Sequence, residues 1–122
     1  MSAGALGAAA HIGGVRLQVG SLARSVAFHR DLLGFTELGR HEGVVSLGVP
    51  GGTRPLVTLV ECAGAKPVPP NRRLGLFHFA ILLPGRADLA GALAHLHARG
   101  EQVGMSDHLV SEALYLSDPD GL

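Results

Sequence analysis

Apolar and polar positions begin to alternate at Gly14. Val15, Leu17 and Val19 point one way, and Gly14, Arg16 and Gln18 the other, the period of two expected of a half-buried strand over Gly14–Val19. Gly20-Ser21 breaks the alternation, and Ser21 suits a helix N-cap. Leu22, Val26, His29 and Leu33 then follow helical spacing, with Gly34 placed as a C′ glycine, which predicts a helix from about Leu22 to Leu33. Three strands are expected next, at Phe35–Arg40, Gly43–Val49 and Pro55–Glu61. The Pro50-Gly51-Gly52 turn makes a hairpin of the last two. The order is βαβββ.

A proline-rich stretch, residues 63–73, reads as a linker, and the pattern then restarts. A strand is expected over Leu76–Leu83. Asp88 is expected to cap a helix that presents Leu89, Leu93 and Leu96 on one face and ends at Gly100. Short strands should follow at Gln102–Met105 and Glu112–Ser117, then the turn Asp118-Pro119-Asp120-Gly121. Ser21-Leu22, Val26 and His29 align with Asp88-Leu89, Leu93 and Leu96, and Gly14, Val15 and Leu17 with His78, Phe79 and Ile81. An internal repeat of this size implies an α+β fold of tandem βαβββ modules, curled into a half-open mixed sheet with the helices outside. The expected division is a mobile tail (1–12), a first module (13–62), a linker (63–74) and a second module (75–122). The second module is expected to stop before its last strand.

Composition narrows the function. The 122 residues suffice for one domain with a core, and 47% are hydrophobic, which argues against disorder. Ten basic residues balance ten acidic ones, leaving no surplus to neutralise nucleic-acid phosphates. No apolar run approaches the roughly 20 residues that span a bilayer, and the opening MSAGALGAAA lacks the basic region of a secretory signal. The single cysteine, Cys62, excludes an internal disulfide and fits a cytoplasmic location.

Three segments carry a family resemblance: GVRLQVGSLARSVAFHRDLLGF (14–35), LGLFHFAILLP (74–84) and SDHLVSEALYLSDPDGL (106–122). They resemble the vicinal-oxygen-chelate superfamily of glyoxalases, extradiol dioxygenases, fosfomycin-resistance enzymes and bleomycin-binding proteins. The second and third look most like the N-terminal half of catechol-2,3-dioxygenase-like members, whose chains are about twice as long. The resemblance implies that each module forms half a barrel. Its first and fourth strands would then supply His, Gln or Glu ligands to an open divalent site (Fe, Mn, Ni or Zn) that holds two substrate oxygens.

The implied ligand positions are poorly filled. The first-strand position of module one falls on Gly14, which has no side chain to donate, and the next inward residue, Arg16, is a cation. His11 lies upstream of the strand. The fourth-strand position falls on Thr58 or Glu61, which lie three apart and so face opposite sides of a regular strand. The first-strand position of module two is His78, opposite in direction to Phe77, Phe79 and Ile81 and therefore expected to face the cleft. The remaining position would lie past Leu122. Metal candidates are thus His78 and Glu61. The candidate cleft residues are Arg16, Gln18, Thr58, His108 and Tyr115, with Asp107 beside His108 at the cleft mouth or capping a turn. His95 and His97 are expected to be solvent-exposed, and His29 half-buried and structural.

Three readings follow. The chain is the noncatalytic N-terminal module pair of a metal-dependent ring-cleaving dioxygenase, its own metal site degenerate. Alternatively, it is a metal-free small-molecule binder of the bleomycin-resistance kind, or a glyoxalase-like lyase completed across a dimer. Each implies a small aromatic or vicinal-oxygen ligand, with a homodimer expected from the unpaired strand edge of the second half.

Overall fold

The computed structural model describes residues 7–69, 75–107 and 112–122. The first half of the expected tail, the end of the linker and His108 therefore lie outside the described residues.

β1 (Val15–Val19) leads into α1 (Leu22–Val26), whose last turn widens into a π-helical segment, Ala27–Leu32. β2 (Thr36–His41), β3 (Val44–Gly48) and β4 (Val57–Glu61) complete the first half. The four strands form one mixed sheet in the order β1-β4-β3-β2. β1 lies parallel to β4, and the other two pairings are antiparallel. The βαβββ order is therefore as expected, with ends shifted by one or two residues. Gly14 lies just outside β1, whose first residue, Val15, donates its N–H to the Leu56 carbonyl at 2.9 Å.

Alternation decides which face is covered. Leu17 and Val19, Val45 and Leu47, and Val57 and Leu59 all point to one side, where Leu22 and Val26 of α1 pack on them. Ser21 caps α1 as expected, its Oγ accepting from Arg24 N–H at 3.3 Å. The helix does not stay α-helical to Leu33. Leu33 N–H reaches back five residues to the Phe28 carbonyl at 3.1 Å, and Gly34, at φ +87°, turns the chain into β2.

The second half departs further from the sequence reading. Residues 76–83 form no strand. Leu76, Phe77, Ile81 and Leu82 are exposed, and only Phe79 packs against the core. Apolar alternation alone does not make a strand when no neighbour offers a ladder of hydrogen bonds. α2 (Arg86–Ala98) begins three residues earlier than expected, with Gly85 and not Asp88 at the N-cap; Asp88 instead lies in the first turn, where a carboxylate suits the helix dipole. Leu96 is the buried residue of its Leu89–Leu93–Leu96 face, and Gly100 ends it at φ +73°. β5 (Gly104–Asp107) and β6 (Glu112–Tyr115) pair as a separate antiparallel ribbon.

The C-terminal turn is tied to the start of the molecule. Asp120 is buried, and its carboxylate accepts from Gly20 N–H at 3.0 Å, Ser25 Oγ–H at 3.2 Å and the Arg24 guanidinium at 3.2 Å. Its backbone carbonyl accepts from Val68 N–H at 2.9 Å. The Asp118-Pro119-Asp120-Gly121 motif thus forms its expected turn and also anchors the β1–α1 junction. No helix among the described residues is long and apolar enough to cross a membrane.

Candidate functional site

The sheet face opposite α1 is built by register. Arg16 stands beside Thr58 and Thr58 beside Ser46, so β1, β4 and β3 contribute one residue each to a single polar row. The next row along the strands is Gln18, Val60 and Val44, with His41 of β2 continuing it. Thr58, Ser46, Val60 and Val44 are half-buried, while Arg16 and Gln18 are exposed. Three expected cleft residues, Arg16, Gln18 and Thr58, are therefore brought together. Ser46 completes their row; it is the polar position within Val44-Val45-Ser46-Leu47, but only the strand register shows which neighbours it meets.

Thr58 and Glu61 face opposite sides, as their spacing requires. Glu61 lies on the α1 side, where its Oε1 accepts from Leu22 N–H at 3.0 Å. It caps the helix start together with Ser21. His78 is exposed in the irregular 76–83 segment, its ring edge-on to Phe77 at 5.4 Å, and projects from no strand. Tyr115 is half-exposed on β6 opposite Gly104. Among the described residues no group of three or more His, Cys, Asp or Glu side chains converges on a common point.

The donor set does not fit a resident divalent ion. Gly14 offers no donor, Arg16 repels a cation, Thr58 brings a neutral hydroxyl, and Glu61 is committed to Leu22 on the other face. An oxygen–nitrogen site of the family type needs more anionic or imidazole ligands than these.

Charge on the open face has one sign. Of the seven described arginines, Arg24, Arg30, Arg40 and Arg86 pair with carboxylates and Arg99 donates to the Asp31 carbonyl. Arg16 has no such partner among the described residues, and the two rows of its face hold no carboxylate. The acidic groups with displaced titration lie elsewhere. Hydrogen bonding from Arg40 holds Glu37 below its ordinary value, and Arg30 does the same for Asp31.

The other histidines are structural or peripheral. His29 is fully buried, deeper than expected. Its Nδ1–H donates to the Ser25 carbonyl at 2.8 Å, its ring touches those of Phe28 and Phe35, and its Nε2 has no partner among the described residues. His95 and His97 are exposed, although His95 Nε2 hydrogen-bonds the Leu32 carbonyl at 2.9 Å and links α2 to the first half. A depression at the end of α2, lined by His97, Gln102, Gly104 and Ser117 among others, shares no residue with the Arg16 face.

The architecture is a helix-backed βαβββ sheet with an open face, followed by a helix and a two-stranded ribbon. The chain belongs to the Glyoxalase/Bleomycin resistance protein/Dioxygenase superfamily, whose family model matches residues 9–122. In sequence it is 46% identical over 111 residues to the catechol-2,3-dioxygenase of Bacillus subtilis (strain 168), a match covering 91% of this chain and 39% of that protein. The chain thus spans well under half the length of the curated relative it matches. In fold it is similar to a glyoxylase/bleomycin resistance protein/dioxygenase domain from Frankia sp. EAN1pec, at TM-score 0.74, 22% identity and coverage of 93% and 92% of the two chains. It is also similar to a lactoylglutathione lyase from Agrobacterium tumefaciens, at TM-score 0.71, 20% identity and coverage of 94% and 90%.

Proposed function

We propose that the chain acts as the ligand-binding, noncatalytic N-terminal module pair of a ring-cleaving dioxygenase of catechol type, and that it holds no resident metal of its own. The sequence likeness to a catechol-2,3-dioxygenase supports the assignment to that enzyme type. The observation that carries the noncatalytic part is the donor set of the open face, where Gly14, Arg16 and Thr58 stand at the ligand positions and Glu61 caps α1. The module pair works in the cytoplasm on a small aromatic or vicinal-oxygen ligand, as part of a homodimer.

The test is metal analysis of the purified chain after incubation with iron, manganese, nickel and zinc and then desalting. The expected result is well below one equivalent of each. One tightly held equivalent of any of them, lost when His78 is replaced, would overturn the proposal.

A second reading has support from size. The Frankia glyoxylase/bleomycin resistance protein/dioxygenase domain is matched over 92% of its length, so a folded domain of about these dimensions exists in that protein. A metal-free binder of bleomycin-resistance type would use the same face. It separates from the first reading by glycopeptide binding, which a dioxygenase module should lack.

A further inference from the structure

The open face carries a more specific chemistry than the fold alone requires. Arg16 on β1 lies in register with Thr58 on the neighbouring β4 and, one strand further on, with Ser46 on β3, neighbouring strands being about 4.8 Å apart. No carboxylate in either row neutralises Arg16, and no hydrogen bond or ion pair engages it among the described residues. A planar guanidinium presents a fork of N–H donors that matches the two oxygens of a carboxylate, and a flanking hydroxyl adds a third donor. The row beyond, about 7 Å further along the strands, is apolar at its centre, where Val60 and Val44 sit side by side. That separation suits a molecule with a carboxylate at one end and a small apolar body at the other.

We infer that this face binds a small apolar carboxylate of about the size of a benzoate. Arg16 takes the carboxylate, Thr58 and Ser46 donate to its oxygens, and Val60 and Val44 cover the ring. The inference rests on the reading of this face as the ligand-binding one and assigns its ligand class. It needs no metal.

The experiment is a titration of the full chain, in EDTA, followed by NMR chemical shifts and thermal shift. The probes are benzoate, phenol, benzylamine and inorganic phosphate, applied to the wild type and to Arg16→Gln, Thr58→Val and Ser46→Ala. Arg16 and its neighbours on the face are not core residues, and circular dichroism checks that each variant is folded. Benzoate is expected to bind, with perturbations confined to β1, β3 and β4. Arg16→Gln should weaken it at least tenfold and each hydroxyl variant several-fold, and phenol and benzylamine should bind at least tenfold more weakly than benzoate. Benzoate binding unchanged in Arg16→Gln, phosphate binding as tight as benzoate, or no benzoate binding would overturn the inference. Failure to bind benzoate by a chain that also retains no metal leaves the noncatalytic reading standing. Binding that appears only on adding a divalent ion overturns both.

Discussion

Asp120 is the residue whose role exceeds its local sequence context most. Its carboxylate collects the Gly20 amide, the Ser25 hydroxyl and the Arg24 guanidinium, from partners 95 to 100 positions away. The guanidinium is half in solvent (side-chain exposures of 49% for Arg24 and 12% for Asp120), so the ion pair itself contributes little. The buried amide and hydroxyl carry the interaction, because both lose their acceptor when the carboxylate is removed. Asp120→Ala should therefore cost about 2 kcal/mol, against about 0.5 kcal/mol for Arg24→Ala. Urea denaturation of the two single variants and the double variant checks this, and equal losses from both single variants would contradict it. The motif around Asp120 was legible as a turn, since Asp, Pro and Gly have local preferences. Its anchoring role was not, because nothing near it in sequence names the partners. Glu61 shows the same limit. Its position in the strand was readable, but its commitment to Leu22 depends on where the chain passes 39 residues earlier. His29 was recognisable as a packing residue, while its complete burial follows from Phe28 and Phe35 closing over it.

At the scale of elements, the first half was legible almost throughout, because β1 alternates cleanly, turn residues bound the later strands, and α1 has both its cap and its C′ glycine. The second half was less so. Residues 76–83 are more apolar than β1, yet β1 has β4 beside it and the 76–83 segment has no paired strand among the described residues. Periodicity reports which face would be buried, and pairing decides whether the strand exists. The turn between β2 and β3 is a further feature that alternation does not reveal. Glu42 and Gly43 both have positive φ, 41° and 76°, the two-residue geometry that suits the twist of a hairpin. A glutamate is strained there and an asparagine much less so. Glu42→Asn should raise stability by roughly 0.5–1 kcal/mol, because the partner its side chain has among the described residues, His41, is itself exposed. A rise in melting temperature with unchanged circular dichroism is the expected readout, and a fall would mean the turn is held by something other than backbone preference.

Across the whole molecule the two halves are unequal. The first has a closed core between its sheet and α1. Polar contacts that join the second to it among the described residues include those of Asp120, the His95–Leu32 hydrogen bond and the Arg99–Asp31 hydrogen bond, with Phe79 and Leu122 packed against the core. Large apolar side chains are left outward on the second half: Leu76, Phe77, Leu82, Met105 and Tyr115 are exposed, and Leu82 is 95% so. Exposed apolar side chains of this size favour association. An interface through this side of the homodimer proposed above would take Leu82 from full exposure to burial. That is worth about 1.5–3 kcal/mol per side chain and about tenfold or more in dissociation constant. Leu82→Glu should therefore shift a concentration-dependent dimer toward monomer by at least that factor in sedimentation velocity, while leaving the melting transition of the dilute chain in place because Leu82 touches none of the core. A wild-type chain that stays monomeric at every accessible concentration would remove the dimer, and a variant that dimerises as the wild type does would place its interface elsewhere.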